Sequence, residues 1–215
     1  MITPPSAESP SQNQPAAAVE PGMEVALQNF WEKNRNGILL VCVVVLLVLL
    51  GREVMQYFAA SHEREVRQAY AKVADRPEQL ATFASANAGH VLAGVAYLRL
   101  ADTKYAAGDF RAAAENYTKA LADLKQPILL GRAKIGAAMS QINGTDKADG
   151  ETALKAVSAD VNLPKAARAE ATYHLATLAQ DAGNAAEVSR LVAEVGKIDP
   201  TSTWSQRATA LLTAR

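Results

Sequence analysis

The sequence predicts an all-α protein, a single N-terminal transmembrane helix followed by an α-solenoid of helical hairpins. Three observations lead there. Hydrophobic residues make up 49% of the chain but aromatics only 6%, so closely packed, alanine-rich helices must supply the core, and a β-sandwich or barrel is disfavoured. Thirteen consecutive apolar residues run from Ile38 to Leu50. Beyond them Pro127, Pro164 and Pro200 recur at intervals of 37 and 36 residues, a period expected of stacked helix pairs.

Residues 1–22 hold five of the nine prolines, Pro4, Pro5, Pro10, Pro15 and Pro21, among Ser, Gln, Asn and Ala. Such a segment buries too little apolar surface to offset ordering and is expected to be a disordered tail. The apolar run follows 37 residues of polar, partly acidic sequence and no short basic segment, which argues for an anchor and against a cleaved signal peptide.

Residues 23–60 are read as that anchor, with the span at about 36–58. Thirteen residues rise only about 20 Å against a hydrocarbon layer of about 30 Å, so the flanks decide the matter. Phe30 and Trp31 lie before the run and Tyr57 and Phe58 after it, about 40 Å apart along a helix, which matches two aromatic interface belts. Arg52 extends its charge toward the interface while its stem follows the helix. The run is apolar on every side, whereas the core helix of a small domain keeps a polar face. Lys33 and Arg35 precede the span and Arg52, Arg64 and Arg67 follow it, so basic charge alone does not orient it. Cys42 is the single cysteine and admits neither an intrachain disulfide nor a cysteine-based metal site. Val41 before it and the continuing apolar run after it also argue against a lipid anchor.

Residues 61–215 form the repeat region. In its best-formed unit Tyr97, Leu100 and Ala101 mark one helix, Gly108-Asp109-Phe110 the turn, and Ala113, Tyr117, Ala120 and Leu121 the next. This is the tetratricopeptide pattern of about 34 residues. Alanines let the helices approach, Gly108 permits the tight turn, and Phe110 and Tyr117 fill the groove between them. Leu175, Ala176, Gly183, Val188, Val192 and Val195 repeat these offsets in a unit ending at Pro200. Between the two, Ile135-Gly136 and Ala153 to Val157 mark a degenerate unit whose turn is lengthened by the polar stretch Asn143 to Gly150. Helices over 61–74 and 77–88 and a last one from Trp204 to Leu212 serve as caps, giving about nine helices after the span.

Lys+Arg and Asp+Glu both number 22, for a net charge of +0, so no global field attracts nucleic acid. No enzyme is expected. His62-Glu63 begins like a zinc-protease motif but position 66 is valine, and Gly131 to Gly136 has P-loop spacing but Ala137 stands where a lysine is needed. His90 and His174 lie near no recognisable nucleophile. The glycosylation triplets at Asn116 and Asn143 are read as chance. Neither a cofactor nor a small-molecule substrate is implied. Protein binding remains, on the concave face lined by the first helix of each unit. Its candidate residues are Leu98, Asp102, Tyr105, Tyr173, Thr177 and Gln180, with Tyr105 and Tyr173 as the aromatic anchors.

Anchor and repeats together resemble the bacterial inner-membrane tetratricopeptide proteins typified by the ancillary subunit of the Sec translocon. The resemblance runs from about residue 24 to the end. It is carried by Phe30-Trp31-Glu32-Lys33-Asn34, by Gly51-Arg52, by Phe83-Ala84-Ser85-Ala86-Asn87 and by Gly94-Val95-Ala96-Tyr97-Leu98-Arg99-Leu100-Ala101. The long Pro-rich tail departs from it. The resemblance implies a cytoplasmic N-terminus, a periplasmic repeat domain, and a place beside the translocon with translocon subunits, periplasmic chaperones or secreted chains as partners. A cell-envelope assembly scaffold with other periplasmic partners is the alternative.

Overall fold

A computed structural model describes residues 21–144 and 146–213. The described residues carry nine α-helices and no strand: α1 Pro21–Val73, α2 Pro77–Ala86, α3 Val91–Ala106, α4 Phe110–Asp123, α5 Pro127–Asn143, α6 Lys147–Ala159, α7 Lys165–Asp181, α8 Ala185–Ile198 and α9 Thr203–Leu211. The chain divides into two compact units between Ala60 and Ser61. The expected disordered tail lies outside the described residues except for Pro21 and Gly22, which open α1.

In the first unit, α1 presents Leu39 to Leu50 to the surroundings with more than half of every large apolar side chain exposed. Among the described residues it is the one helix long and apolar enough to cross a membrane, and none of its apolar window is buried. The expected separate helix over 61–74 is instead the C-terminal part of α1. No proline or glycine interrupts Tyr57 to Val73, so the backbone hydrogen-bond ladder continues without a break. Eight helices therefore follow α1 among the described residues, where about nine were expected after the span.

In the second unit each helix packs on its sequence neighbours from α2 to α9, and α3, α5, α7 and α9 also pack on one another in succession. This is a stack of antiparallel hairpins with its odd-numbered helices along one face. The helix starts follow from local chemistry. Pro77 and Pro127 occupy first-turn positions where no amide hydrogen is needed. Asp109, Asn184 and Ser202 accept hydrogen bonds from the backbone of Ala112, Glu187 and Ser205, each cap worth about 1 kcal/mol. The hairpin turns after α3 and α7 need a left-handed residue, and Gly108 and Gly183 supply φ of 78° and 72°.

Small residues set the helix spacing. Ala101, Ala113 and Ala120 are fully buried around Tyr117 and Leu98. Gly136 lies directly under the Tyr117 ring, where a Cβ would sit 2.4 Å from a ring carbon. A second core joins Ile135, Leu154, Val157, Leu163 and Leu175, a third seats Val66 against Leu80 and Phe83, and a fourth closes on Val188, Val192, Val195 and Ala208. The expected polar loop over 143–150 is shorter than its composition implies, because α5 runs to Asn143 and α6 starts at Lys147. Gly150 explains the difference. It is buried in the first turn of α6, where any Cβ would fall 2.6 Å from the Ala138 carbonyl oxygen, so the two helices meet at once.

Candidate protein-binding surface

Of the six binding residues expected from the sequence, Asp102 and Tyr105 of α3 and Tyr173, Thr177 and Gln180 of α7 are half-buried, and the two helices treat them differently. Leu98 is the exception. It is 2% exposed and packs with Ala133 of α5. Small residues of the neighbouring helices in the same cluster, Ala113 and Ala120 of α4 and Ala133 of α5, let those helices close over it, so the leucine joins the core and does not line the surface.

At the α3 end the polar groups are tied to one another. The Asp102 carboxylate accepts from the Tyr117 hydroxyl at 2.7 Å and from the Arg132 guanidinium of α5. Burial, then the adjoining Asp102 carboxylate, raise the Tyr117 pKa well above a free phenol, so the hydroxyl stays a donor. Tyr105 accepts at its hydroxyl from the Asn143 amide at 2.8 Å, and its ring meets Phe110 edge-on at 5.2 Å. Asp102 and Tyr105 are therefore fasteners between repeats. At the N-terminal boundary of the stack His90 plays a similar part. It accepts from the Leu92 backbone through Nδ1 and shares Nε2 with Glu63 at 2.8 Å, and Glu63 also receives Arg67. His62-Glu63, read in the sequence as a failed metal motif, thus contributes an interhelix clasp. The P-loop spacing of Gly131 to Gly136 is simply the interior of α5.

At the α7 end the arrangement changes. The Tyr173 ring lies 5.6 Å from His174 and 5.4 Å from Trp204, and His174 and Trp204 are 5.9 Å apart. The Arg207 guanidinium covers the Trp204 ring at 4.8 Å from its centroid. Glu170 sits one helical turn before Tyr173 and His174 on the same side of α7. Burial raises the Glu170 pKa, with Arg132 and Arg207 partly opposing it, and burial lowers the His174 pKa. Thr177 donates to the His174 carbonyl oxygen at 2.7 Å. Gln180 lines a small cavity with Gly183, Val188 and Leu211.

Charge alternates across the odd helices as Asp102, Arg132, Glu170 and Arg207, one group from each. Sequence reasoning missed Arg132, Glu170, His174, Trp204 and Arg207. The signal for α7 was present in the i, i+3, i+4, i+7 spacing of Glu170, Tyr173, His174 and Thr177. Trp204 and Arg207 gave no comparable signal, because only the fold brings α9 beside α7. The residues expected to sit at the membrane interface, Phe30, Trp31, Arg52, Tyr57 and Phe58, are all exposed on α1, with Tyr57 and Phe58 in edge contact at 6.1 Å.

A family model for a tetratricopeptide repeat-like domain matches residues 28–161. No match is found among curated proteins or among solved structures.

Proposed function

The chain belongs to the tetratricopeptide repeat-like family, and from that premise we propose that it is a membrane-anchored interaction scaffold acting as an ancillary, chaperone-recruiting subunit of the Sec export translocon. The observation that carries the reading is the pairing, in one chain, of a helix able to span a bilayer with a stack of helical hairpins. Repeats of this kind present protein-binding faces and are typically non-enzymatic. The anchor fixes such a face at the membrane, where tethering raises the effective concentration of any partner held at the same surface.

The bacterial inner membrane, a cytoplasmic N-terminus and a periplasmic repeat domain complete the proposal. They rest on the likeness of the anchor and first repeat to the translocon subunit. Three measurements test it together. A reporter active only in the periplasm, fused at the C-terminus, is expected to be active. Carbonate washing of membranes is expected to leave the protein in the pellet. Crosslinking before purification is expected to recover translocon subunits. Repeated recovery of other envelope proteins in their place would move the scaffold to cell-envelope assembly.

A further inference from the structure

We propose that the α7 and α9 end of the odd-helix face is the peptide-binding site, and that it takes an uncharged polypeptide segment bearing an aromatic side chain. This rests on the reading of the chain as a protein-binding scaffold and gives that scaffold a location and a ligand chemistry.

The first argument is hydrogen bonding left open. The Glu170 carboxylate, Tyr173 hydroxyl, His174 ring nitrogens and Trp204 indole N–H form no hydrogen bond among the described residues, whereas Asp102, Tyr105 and Tyr117 at the other end are all engaged. All four residues are half-buried, and no enclosed side-chain polar atom in the described structure lacks a partner. The four groups therefore still reach solvent and are available to a ligand. Half-buried polar groups cannot hydrate fully, so a partner that completes their bonds gains more than it would at an open surface.

The second argument is charge. Glu170 is acted on by Arg132 and Arg207. Arg132 is already held by Asp102, and Arg207 stacks on Trp204. An incoming cation would meet Glu170 but also two guanidinium groups, and an incoming carboxylate would meet Arg207 but also Glu170. The net charge of Glu170 and Arg207 together is zero, so neither sign gains from the field. A peptide backbone suits both sides, with an N–H donated to Glu170 and a carbonyl accepting from Trp204 or Tyr173.

The third argument is the rings. Tyr173 and Trp204 are already in contact with one another, so docking a further aromatic ring on them costs little side-chain entropy and uses the residue types that dominate binding hot spots.

The test uses the full chain in detergent with Trp31→Phe, which leaves Trp204 as the sole indole of the two tryptophans. Three acetylated, amidated peptides of equal length are titrated: a neutral Phe/Ser/Gly sequence, the same with flanking Asp, and the same with flanking Lys. The neutral peptide is expected to shift Trp204 emission saturably, and each charged peptide to bind about tenfold more weakly. Glu170→Ala is expected to weaken the neutral peptide by about tenfold, while Tyr105→Phe leaves it unchanged. Glu170→Gln serves as the milder variant if the alanine form melts early by circular dichroism. Binding of a labelled peptide with Trp204 silent, preference for either charged peptide, or indifference to both Glu170 variants overturns this site and leaves the scaffold reading standing. Absence of binding to every peptide overturns the site as well, and if translocon crosslinks are also absent the scaffold reading falls with it.

Discussion

The first and third repeats share one architecture and use it in opposite ways. Both turn on a left-handed glycine, Gly108 in one and Gly183 in the other, and both bury alanines at matching positions of the first helix, Ala96 and Ala101 in one and Ala171 and Ala176 in the other. In the first repeat the inner-face side chains reach across to the next hairpin and consume their own bonding capacity, with Asp102 taking Tyr117 and Arg132 and Tyr105 taking Asn143. In the third, the corresponding helix meets the short cap α9, and the rings of Tyr173, His174 and Trp204 cluster with polar edges that face solvent and form no hydrogen bond among the described residues. The same hairpin geometry thus serves cohesion at one end and recognition at the other.

Breaking the cohesive end should produce the largest effect. Tyr117 is 4% exposed, and Tyr117→Ala is expected to cost about 3–5 kcal/mol in urea unfolding. Tyr117→Phe, which loses only the bond to Asp102, should cost about 1 kcal/mol. A Tyr117→Ala loss no larger than that of Trp204→Ala would erase the distinction between the ends.

Gly136→Ala follows in size. Its new methyl would overlap the Tyr117 ring, and the expected loss is about 1–3 kcal/mol. A double variant with Tyr117→Phe should not relieve the clash, since the overlap is with ring carbons.

The two turn glycines sharpen the comparison by their equality. Gly108→Ala and Gly183→Ala each force a Cβ into left-handed backbone with open space around it, and each should lower stability by about 1–2 kcal/mol. Markedly unequal losses would mean that the two hairpins are not equivalent units.

The smallest effect is a pH dependence at the open end. Burial lowers the folded-state pKa of His174 below its ordinary 6.5. The stability this contributes is full above pH 6.5 and is lost as pH falls through the lower folded-state value, because the unfolded chain takes the proton first. Burial raises Glu170 above its ordinary 4.5, so its contribution is present below that value and lost as pH rises, the opposite sign in a more acidic window. Melting temperatures measured between pH 7 and 5 should fall less steeply in His174→Gln than in the unsubstituted chain. Parallel curves would remove His174 as the cause.

Much of the fold could be read without coordinates. The apolar run, the alanine offsets and the Gly108 and Gly183 turns are local patterns, and periodicity reports local geometry directly. Where the reading missed, a long-range contact had overruled composition. Polar residues 146–149 look like a loop, yet Gly150 lets α6 start against α5. Leu98 has the spacing of a groove residue, yet the cluster it shares with Ala113, Ala120 and Ala133 of the neighbouring helices encloses it.

By itself, the sequence determined the helical class, the apolar segment able to span a bilayer, the repeat period and the residues that turn the chain, since each depends on neighbours within a few positions. Only the tertiary structure decided which inner-face groups are used up and which stay open. That choice depends on what the next helix presents, Arg132 and Asn143 opposite α3 but Trp204 and Arg207 opposite α7, and no spacing within one helix encodes the side chains of another.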